Sequence, residues 1–500
     1  MANSFITAFN EVQNYGFTEN GAVKHNSTLS ALYDLFAFGG AYRKRSDADV
    51  ITLFAKALEE NELYALKCLF YLRDVRGGQG ERRFFRVVYK WLCQNHLDIA
   101  LRNIELIPEY GRWDDLIYST VDTSAFSVAM GIISRQLELD IDCKTPSLLA
   151  KWLPSENASS KKTKAVAQLV RQKLGMNHRQ YRVLLSELRS RINIVEKLMS
   201  SGRWDEIEFD KIPSKAGLVY KNAFARRDLI RERYRNFIQD ANTTVNAKDL
   251  YPYEIVAKAR TEWGKSLQDT ERLTTNKYWA NLPDYFNGSE YSILPVVDTS
   301  GSMYGLPIDV ACSLGIYAGE RNHGPFANCY ISFSSVPRLI HIEGADFVDK
   351  VQRIYRTNLC ENTNLTAVFD LLLTMLMTGV AKPEDLPKAI VVISDMEIDE
   401  GSKQWWAWDG SQYKYSNWTK ETAATEMEAI RQTWAAAGFQ LPRLIYWNVN
   451  ARHDTILDSG PYVSFGSGCS PVLFEQIITG VTGMDLMYKK LDSDRYKAIQ

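Results

Sequence analysis

The run Val296-Val297-Asp298-Thr299-Ser300-Gly301-Ser302-Met303 closes an apolar, β-branched stretch with a carboxylate and follows it with hydroxyls at alternate positions. Gly301 permits a sharp turn into a following helix. One carboxylate and two hydroxyls, Asp298, Ser300 and Ser302, are hard oxygen donors. Such a set suits Mg2+ best, with Mn2+ or Ca2+ as alternatives, and leaves coordination positions open to water or an incoming acidic group. In an open α/β sheet, ligands gather beyond the carboxyl ends of the strands, so further donors are expected from neighbouring strand ends. KAIVVISD ends in Asp395, and in CENTNLTAVFDLLL Thr363 stands before a helix, with Thr366 a rival for the same role. The same Asp and Ser residues could merely cap a helix; the Thr helix and the second strand-terminal Asp, in this order, argue for a cation. Glu397, Asp399 and Glu400 read as a solvated acidic rim. Catalysis is not expected: His323, His341 and His453 have no motif context, and no general base accompanies the candidate ligands.

These donors need a sheet to present them. From about residue 290, short β-branched and aromatic runs (YSILPVVDTS, ANCYISFSS, KAIVVISD, LPRLIYWNVN) alternate with helical segments, the pattern of a mostly parallel sheet covered on both faces. Residues 28–261 are instead helical almost throughout, with apolar positions three and four apart. The expected fold is therefore multidomain, α plus α/β. It has an N-terminal arm (1–27), a helical-repeat ring or solenoid (28–261), a polar linker (262–291) and a doubly wound α/β domain (292–500). Gly-Arg-Trp-Asp occurs at 111–114 and again at 202–205, as a repeated helix pair would produce.

Two further stretches carry possible contacts. Residues 151–235 hold 20 Lys/Arg against 9 Asp/Glu, whereas 290–500 hold 17 against 25. Within the basic part, Lys161, Lys162, Lys164, Arg171, Lys173, Arg179, Arg182 and Arg189 interleave with helical apolar positions, which suits a phosphate backbone. An ordinary solvated helix face is the plainer alternative. Trp405, Trp406 and Trp408 lie in a polar loop, where aromatics either meet a partner or pin the loop to its own domain. The glycines of LRDVRGGQGER (72–82) follow a helix rather than a strand, so they read as a tight helix-to-helix turn.

With 45% hydrophobic and 12% aromatic residues the chain can fill real cores, and its net charge of −1 excludes a molecule-wide electrostatic nucleic-acid binder. Seven scattered cysteines without a C-x-x-C pair give neither a zinc cluster nor a disulfide framework. No apolar run reaches the 18 residues of a membrane span, so a cytoplasmic location is expected, host cytoplasm if the chain is viral.

The Asp-x-Ser-x-Ser, Thr, Asp order resembles the metal-ion-dependent adhesion site of von Willebrand factor A domains. Asp298, Ser300 and Ser302 match the first element, Thr363 the second and Asp395 the third, although Asn362 stands where that family often has Gly. The whole arrangement, with LRDVRGGQGER, the two Gly-Arg-Trp-Asp copies and DTSGSM, resembles the Ro ribonucleoprotein family, a TROVE-type helical module followed by an A domain. Tyr181-Arg182, Leu184-Leu185-Ser186, Leu188-Arg189 and Ser467-Gly468-Cys469-Ser470-Pro471 fit in particular a viral, bacterial and plant branch of it. The resemblance implies a HEAT-like helical ring that binds structured or single-stranded RNA, and an adhesion-type site that grips an acidic residue of a partner.

Overall fold

The computed structural model describes residues 14–19, 22–192, 194–260, 267–333, 337–357, 364–398, 404–408, 413–417, 425–458, 460 and 462–500. The chain is mostly helical, with a six-stranded mixed sheet in its C-terminal part. Among the described residues, no helix is long and apolar enough to cross a membrane.

A short antiparallel pair, β1 (Tyr15–Phe17) and β2 (Val23–His25), precedes the helices. Helices then follow one another closely from Ala31–Phe38 to Pro252–Ala259. Their caps are local: Ser46 and Asp49 form a reciprocal capping box at the start of Asp47–Glu60, and Asn61 caps Glu62–Arg73. The two Gly-Arg-Trp-Asp copies are not equivalent in space. The first opens helix Trp113–Thr120 and buries Asp114 and Asp115, while the second forms a single 3-10 turn, Trp204–Glu206, with no buried residue. Segment 262–291 is not merely a polar connection. Helix Asp269–Ala280 lies within it, burying Thr274, Thr275, Tyr278 and Trp279 on one face, with the charged residues Asp269, Glu271, Arg272 and Lys277 at other positions of that helix.

The six strands are β3 (Ile293–Asp298), β4 (Cys329–Phe333), β5 (Arg338–His341), β6 (Ala389–Ser394), β9 (Arg443–Asn448) and β10 (Val463–Ser467), with a separate two-stranded ribbon of β7 (Gln404–Trp408) and β8 (Tyr413–Asn417). Sheet order is β10-β9-β6-β3-β4-β5. All neighbours run parallel except β5, which is antiparallel to β4. Every residue of β3 and β6 is buried, as expected for central parallel strands covered on both faces. Helix Leu306–Arg321 covers β3 closely: a Cβ on Gly315 would lie 2.5 Å from a methyl of Val297, so only glycine fits.

The two halves interlock through the ends of the chain. His25 and Ile456 exchange backbone hydrogen bonds at 2.8 and 2.9 Å, so the N-terminal strand pair lies against the C-terminal half. Helix Ala31–Phe38 packs on β10, where Phe465 N donates to Tyr33 Oη and Gly40 N donates to Ser467 Oγ. In return, the C-terminal segment reaches the helical half: Lys67 pairs with Asp492, and Gln500 N donates to Asn103 Oδ1.

Candidate metal centre

β3 and β6 are adjacent and parallel, so Asp298, at the end of β3, and Asp395, immediately after β6, emerge side by side at the carboxyl edge of the sheet. Both are fully buried. Asp298 is held by its own loop, with Ser300 N donating to Oδ1 at 2.9 Å and Ser394 Oγ donating to Oδ2 at 2.6 Å. After β6 the backbone reverses at Met396, whose φ of +64° is rare for a residue with a side chain. That reversal lets Ser394 Oγ accept from Met396 N, and Asp395 Oδ1 accept from Glu397 N at 3.3 Å. The loop after β3 completes the group: Ser300 Oγ and Ser302 Oγ are 2.9 Å apart, and Ser302 Oγ lies 3.5 Å from Asp395 Oδ1.

These spacings suit a divalent cation. Mg2+ bonds of 2.0–2.1 Å at right angles separate neighbouring ligand oxygens by about 2.9 Å, and the longer bonds of Ca2+ by about 3.5 Å. A hydrogen-bonded network would use similar distances, so the electrostatics also matter. Burial first, and then the Asp298 charge, push the Asp395 carboxyl up to about 6 against the pull of Arg452. Two crowded, desolvated carboxylates are a strong attractor for a cation. The donor set of Asp298, Ser300, Ser302 and Asp395 therefore fits a hard metal ion.

Of the residues expected from sequence, these four converge. Thr363 lies outside the described residues. Thr366, its rival, is buried, and its Oγ1 has no hydrogen-bond partner among the described residues. Glu397 corrects the expectation of a solvated acidic rim: it is fully buried, accepting Glu19 N at 2.8 Å and standing 3.1 Å from His453 Nδ1. Asp399 and Glu400 lie outside the described residues. Three contributors escaped the sequence reading. Ser394 braces Asp298, Arg452 pairs with Asp395 at 3.1 Å, and Glu19, from the N-terminal segment, pairs with Arg452 at 2.7 Å. The Ser394 signal was visible as the residue preceding the strand-terminal Asp. Glu19 lies far away in sequence, and nothing local announces it.

The expected nucleic-acid face is divided. It spans helices Lys161–Lys173 and His178–Arg191. Lys161, Lys162, Lys164, Lys173, Arg179 and Arg182 are exposed. Arg171 instead pairs with Glu156 at 2.9 Å and donates to Met176 O. Arg189 donates to the carbonyls of Ala150 and Leu153 and to Ser155 Oγ, each at 2.8 Å. Arg189 braces the turn before Lys161 through two carbonyls and a hydroxyl, and Arg171 spends donors on the Glu156 carboxylate of that turn and on the Met176 carbonyl beyond the helix. Trp405, Trp406 and Trp408 are in β7, paired with β8, so their segment is a ribbon rather than an irregular loop; their side chains are outside what the structure describes.

The LRDVRGGQGER element forms a joint. Arg73 and Asp115, 1% and 0% exposed, are ion-paired in the interior, and Arg86 Nε reaches the other oxygen of Asp115 at 2.6 Å. Buried Asp74 receives Arg495 Nε and Nη2 at 2.9 and 3.0 Å, and the Tyr496 hydroxyl at 3.1 Å. A Cβ on Gly78 would stand 1.9 Å from Tyr71 O, and Gln79 Oε1 accepts Ser470 N. This turn thus clasps both the C-terminal tail and the segment after β10.

The family model described as a domain of unknown function, DUF7788, matches residues 292–490, and that for a second such domain, DUF2828, matches residues 18–120 and 134–286. A protein of Acanthamoeba polyphaga mimivirus, described as uncharacterized protein L728, is 29% identical over 487 residues, spanning 89% of this chain and 80% of its own length. Since the second model takes in more than half of its residues, the chain belongs to the DUF2828 family.

Proposed function

We propose that this protein is a non-catalytic docking protein. Its C-terminal half holds a Mg2+-type cation among Asp298, Ser300, Ser302 and Asp395 and offers the remaining coordination to an acidic group of a partner. The observation that carries this reading is the convergence of hard oxygens from two neighbouring strand ends on one buried point, with Ser300 Oγ and Ser302 Oγ 2.9 Å apart. The resemblance to von Willebrand factor A domains agrees with it, because a mostly parallel sheet carries the group at its carboxyl edge. Ser302 is only partly covered, and Tyr304, two residues on, is 90% exposed, so a visitor can approach from that side. A bound cation would supply electrostatic attraction for a carboxylate; the chain's own residues hold the oxygens in place and keep them dry.

The test is a calorimetric titration with Mn2+ and Mg2+. One cation should bind the wild type, and the Asp298→Ala variant should bind none. Equal binding by the two proteins would overturn the reading.

A second reading, RNA binding by the helical half, is favoured by the exposed cations at 161, 162, 164, 173, 179 and 182. Beside them lies an open cleft of about 800 Å3 whose lining includes Arg179, Arg182 and Lys197, and also Glu156 and Glu196. The resemblance to Ro ribonucleoproteins points the same way, and a HEAT-like arrangement of the helices belongs to this reading.

A further inference from the structure

Arg452 stands at the rim of the cation site with a different acceptor for each end of its guanidinium. Nη2 is 3.1 Å from Asp395 Oδ2, and Nη1 is 2.7 Å from Glu19 Oε2. Asp395 is fully buried, whereas the Glu19 side chain is 50% exposed and that of Arg452 31%. The other oxygen of Asp395, Oδ1, faces Ser302. Glu19 is fixed by its neighbours: its backbone N donates to Glu397 Oε2, and the Thr18 hydroxyl donates to Ile398 O at 2.8 Å. Thr18 and Glu19, which follow β1, are thus anchored just after β6, beside Asp395, with Arg452 between Glu19 and Asp395.

Resting on the cation reading above, we propose that Arg452 is the built-in competitor of the metal at Asp395, and that Glu19 is the acceptor to which it is handed when the metal arrives. A divalent ion among Asp298, Ser300, Ser302 and Asp395 removes the negative charge that Arg452 neutralises and repels the guanidinium across a short, poorly screened distance. Arg452 does not need to enter water unpaired, because Glu19 already holds its other end. The hand-off concentrates the guanidinium on Glu19 and tightens the N-terminal segment against the rim. By linkage, whatever strengthens the Arg452–Glu19 pair strengthens cation binding, and the reverse holds equally.

This arrangement fixes the signs of three variants in a calorimetric Mn2+ titration of the full chain. Arg452→Gln removes the competitor and should tighten Mn2+ binding tenfold or more. Glu19→Gln removes the second acceptor, leaves Arg452 on Asp395 and should weaken binding two- to fivefold, a modest change because Glu19 is half exposed. The double variant should match Arg452→Gln, since Glu19 acts only through Arg452. In hydrogen exchange, Mn2+ should slow the amides of residues 15–17 and 23–25 in the wild type, and this effect should vanish in Arg452→Gln. Unchanged or weaker binding by Arg452→Gln overturns the proposal, as does a Glu19→Gln effect that persists in the double variant. Should Arg452→Gln fail to fold, Glu19→Gln decides alone, and an affinity equal to the wild type refutes the hand-off. If neither the wild type nor Arg452→Gln binds Mn2+, the cation reading itself fails; if both bind equally and Asp298→Ala does not, only the role of Arg452 falls.

Discussion

Buried carboxylates are treated differently at the joint and at the sheet edge of this molecule. At the joint, Asp115 meets two guanidiniums, from Arg73 and Arg86, and Asp74 meets Arg495 and the Tyr496 hydroxyl. At the sheet edge, Asp298, Asp395 and Glu397 are all fully buried, with Asp395 held by a partly exposed Arg452 and Glu397 by the exposed ring of His453. At the joint each of these carboxylates faces a guanidinium, whereas at the edge Asp298 and Asp395 stand side by side, and burial and the Asp298 charge raise the Asp395 carboxyl to about 6. A carboxylate matched to a guanidinium marks a structural clasp. Two crowded, desolvated carboxylates at neighbouring strand ends mark a place where a cation lowers the free energy of the fold itself.

The largest expected effect breaks the complete side of this contrast. Asp115→Ala leaves Arg73, 1% exposed, charged and without its carboxylate. Removing one partner of a buried ion pair costs about 3–5 kcal/mol. Chemical denaturation should show a loss of that size, with or without metal. A loss under about 1 kcal/mol would mean that water or another carboxylate reaches Arg73, and the clasp would no longer differ in kind from the edge.

The edge should respond with the opposite sign. Asp395→Asn removes a carboxyl that burial and Asp298 hold up at about 6. An acid whose folded pKa lies above its unfolded value weakens the fold at neutral pH, and the cost shrinks as pH falls through about 6 and vanishes only below about 3, where both states are protonated. The metal-free Asp395→Asn protein should therefore be more stable than the wild type by about 1–3 kcal/mol at pH 7, the attraction of Arg452 being already contained in that shift. At pH 4 the difference should shrink to about 0.5 kcal/mol. With Mg2+ present the order should reverse, because the variant has lost a ligand, and wild-type affinity should fall as pH drops below about 6. Thermal melts at pH 4 and 7, each with Mg2+ and with chelator, check all four corners. A destabilised Asp395→Asn protein at pH 7 without metal would show that the edge is as well compensated as the joint.

Much of this contrast was legible in the sequence where it is local. A strand-terminal Asp followed by alternating hydroxyls, and a second apolar run ending in Asp395, identified the carboxyl edge of the sheet because both signals lie within a few residues. The helix-to-helix turn at 72–82 rests on the same kind of local pattern, and helices Glu62–Arg73 and Arg82–Asn95 flank it. What sequence did not give is partnership over distance. Glu19 meets Arg452, and Asp74 meets Arg495, across about four hundred residues. Charge pattern misled in two opposite directions. Glu397 looked solvated because its neighbours are acidic, yet Glu19 N and His453 hold it inside. Arg171 and Arg189 looked available because few acids lie between 161 and 191, yet Glu156 and the Met176 carbonyl take donors of Arg171, and the Ala150 and Leu153 carbonyls take those of Arg189, and carbonyls leave no trace in a count of charges. Strand β10 was missed since Val463–Ser467 is short and contains Gly466.

The smallest expected effect on the fold belongs to the exposed cations of the helical half, and it separates surface charge from bracing charge. Arg179 and Arg182 are exposed, so Arg179→Glu with Arg182→Glu should change stability by less than about 0.5 kcal/mol. Arg189→Glu would instead strip hydrogen bonds from Ala150, Leu153 and Ser155 and unfold that turn, so any loss of RNA binding by it would carry no information about contact. In filter binding of a structured RNA over a salt series, each phosphate contact contributes close to one unit of slope in log affinity against log salt. The double variant should flatten that slope by about two units and weaken binding mainly at low salt. An unchanged slope would remove these two residues from any nucleic-acid face. It would also leave the basic stretch as a solvated surface whose two bracing arginines, Arg171 and Arg189, are its structural content.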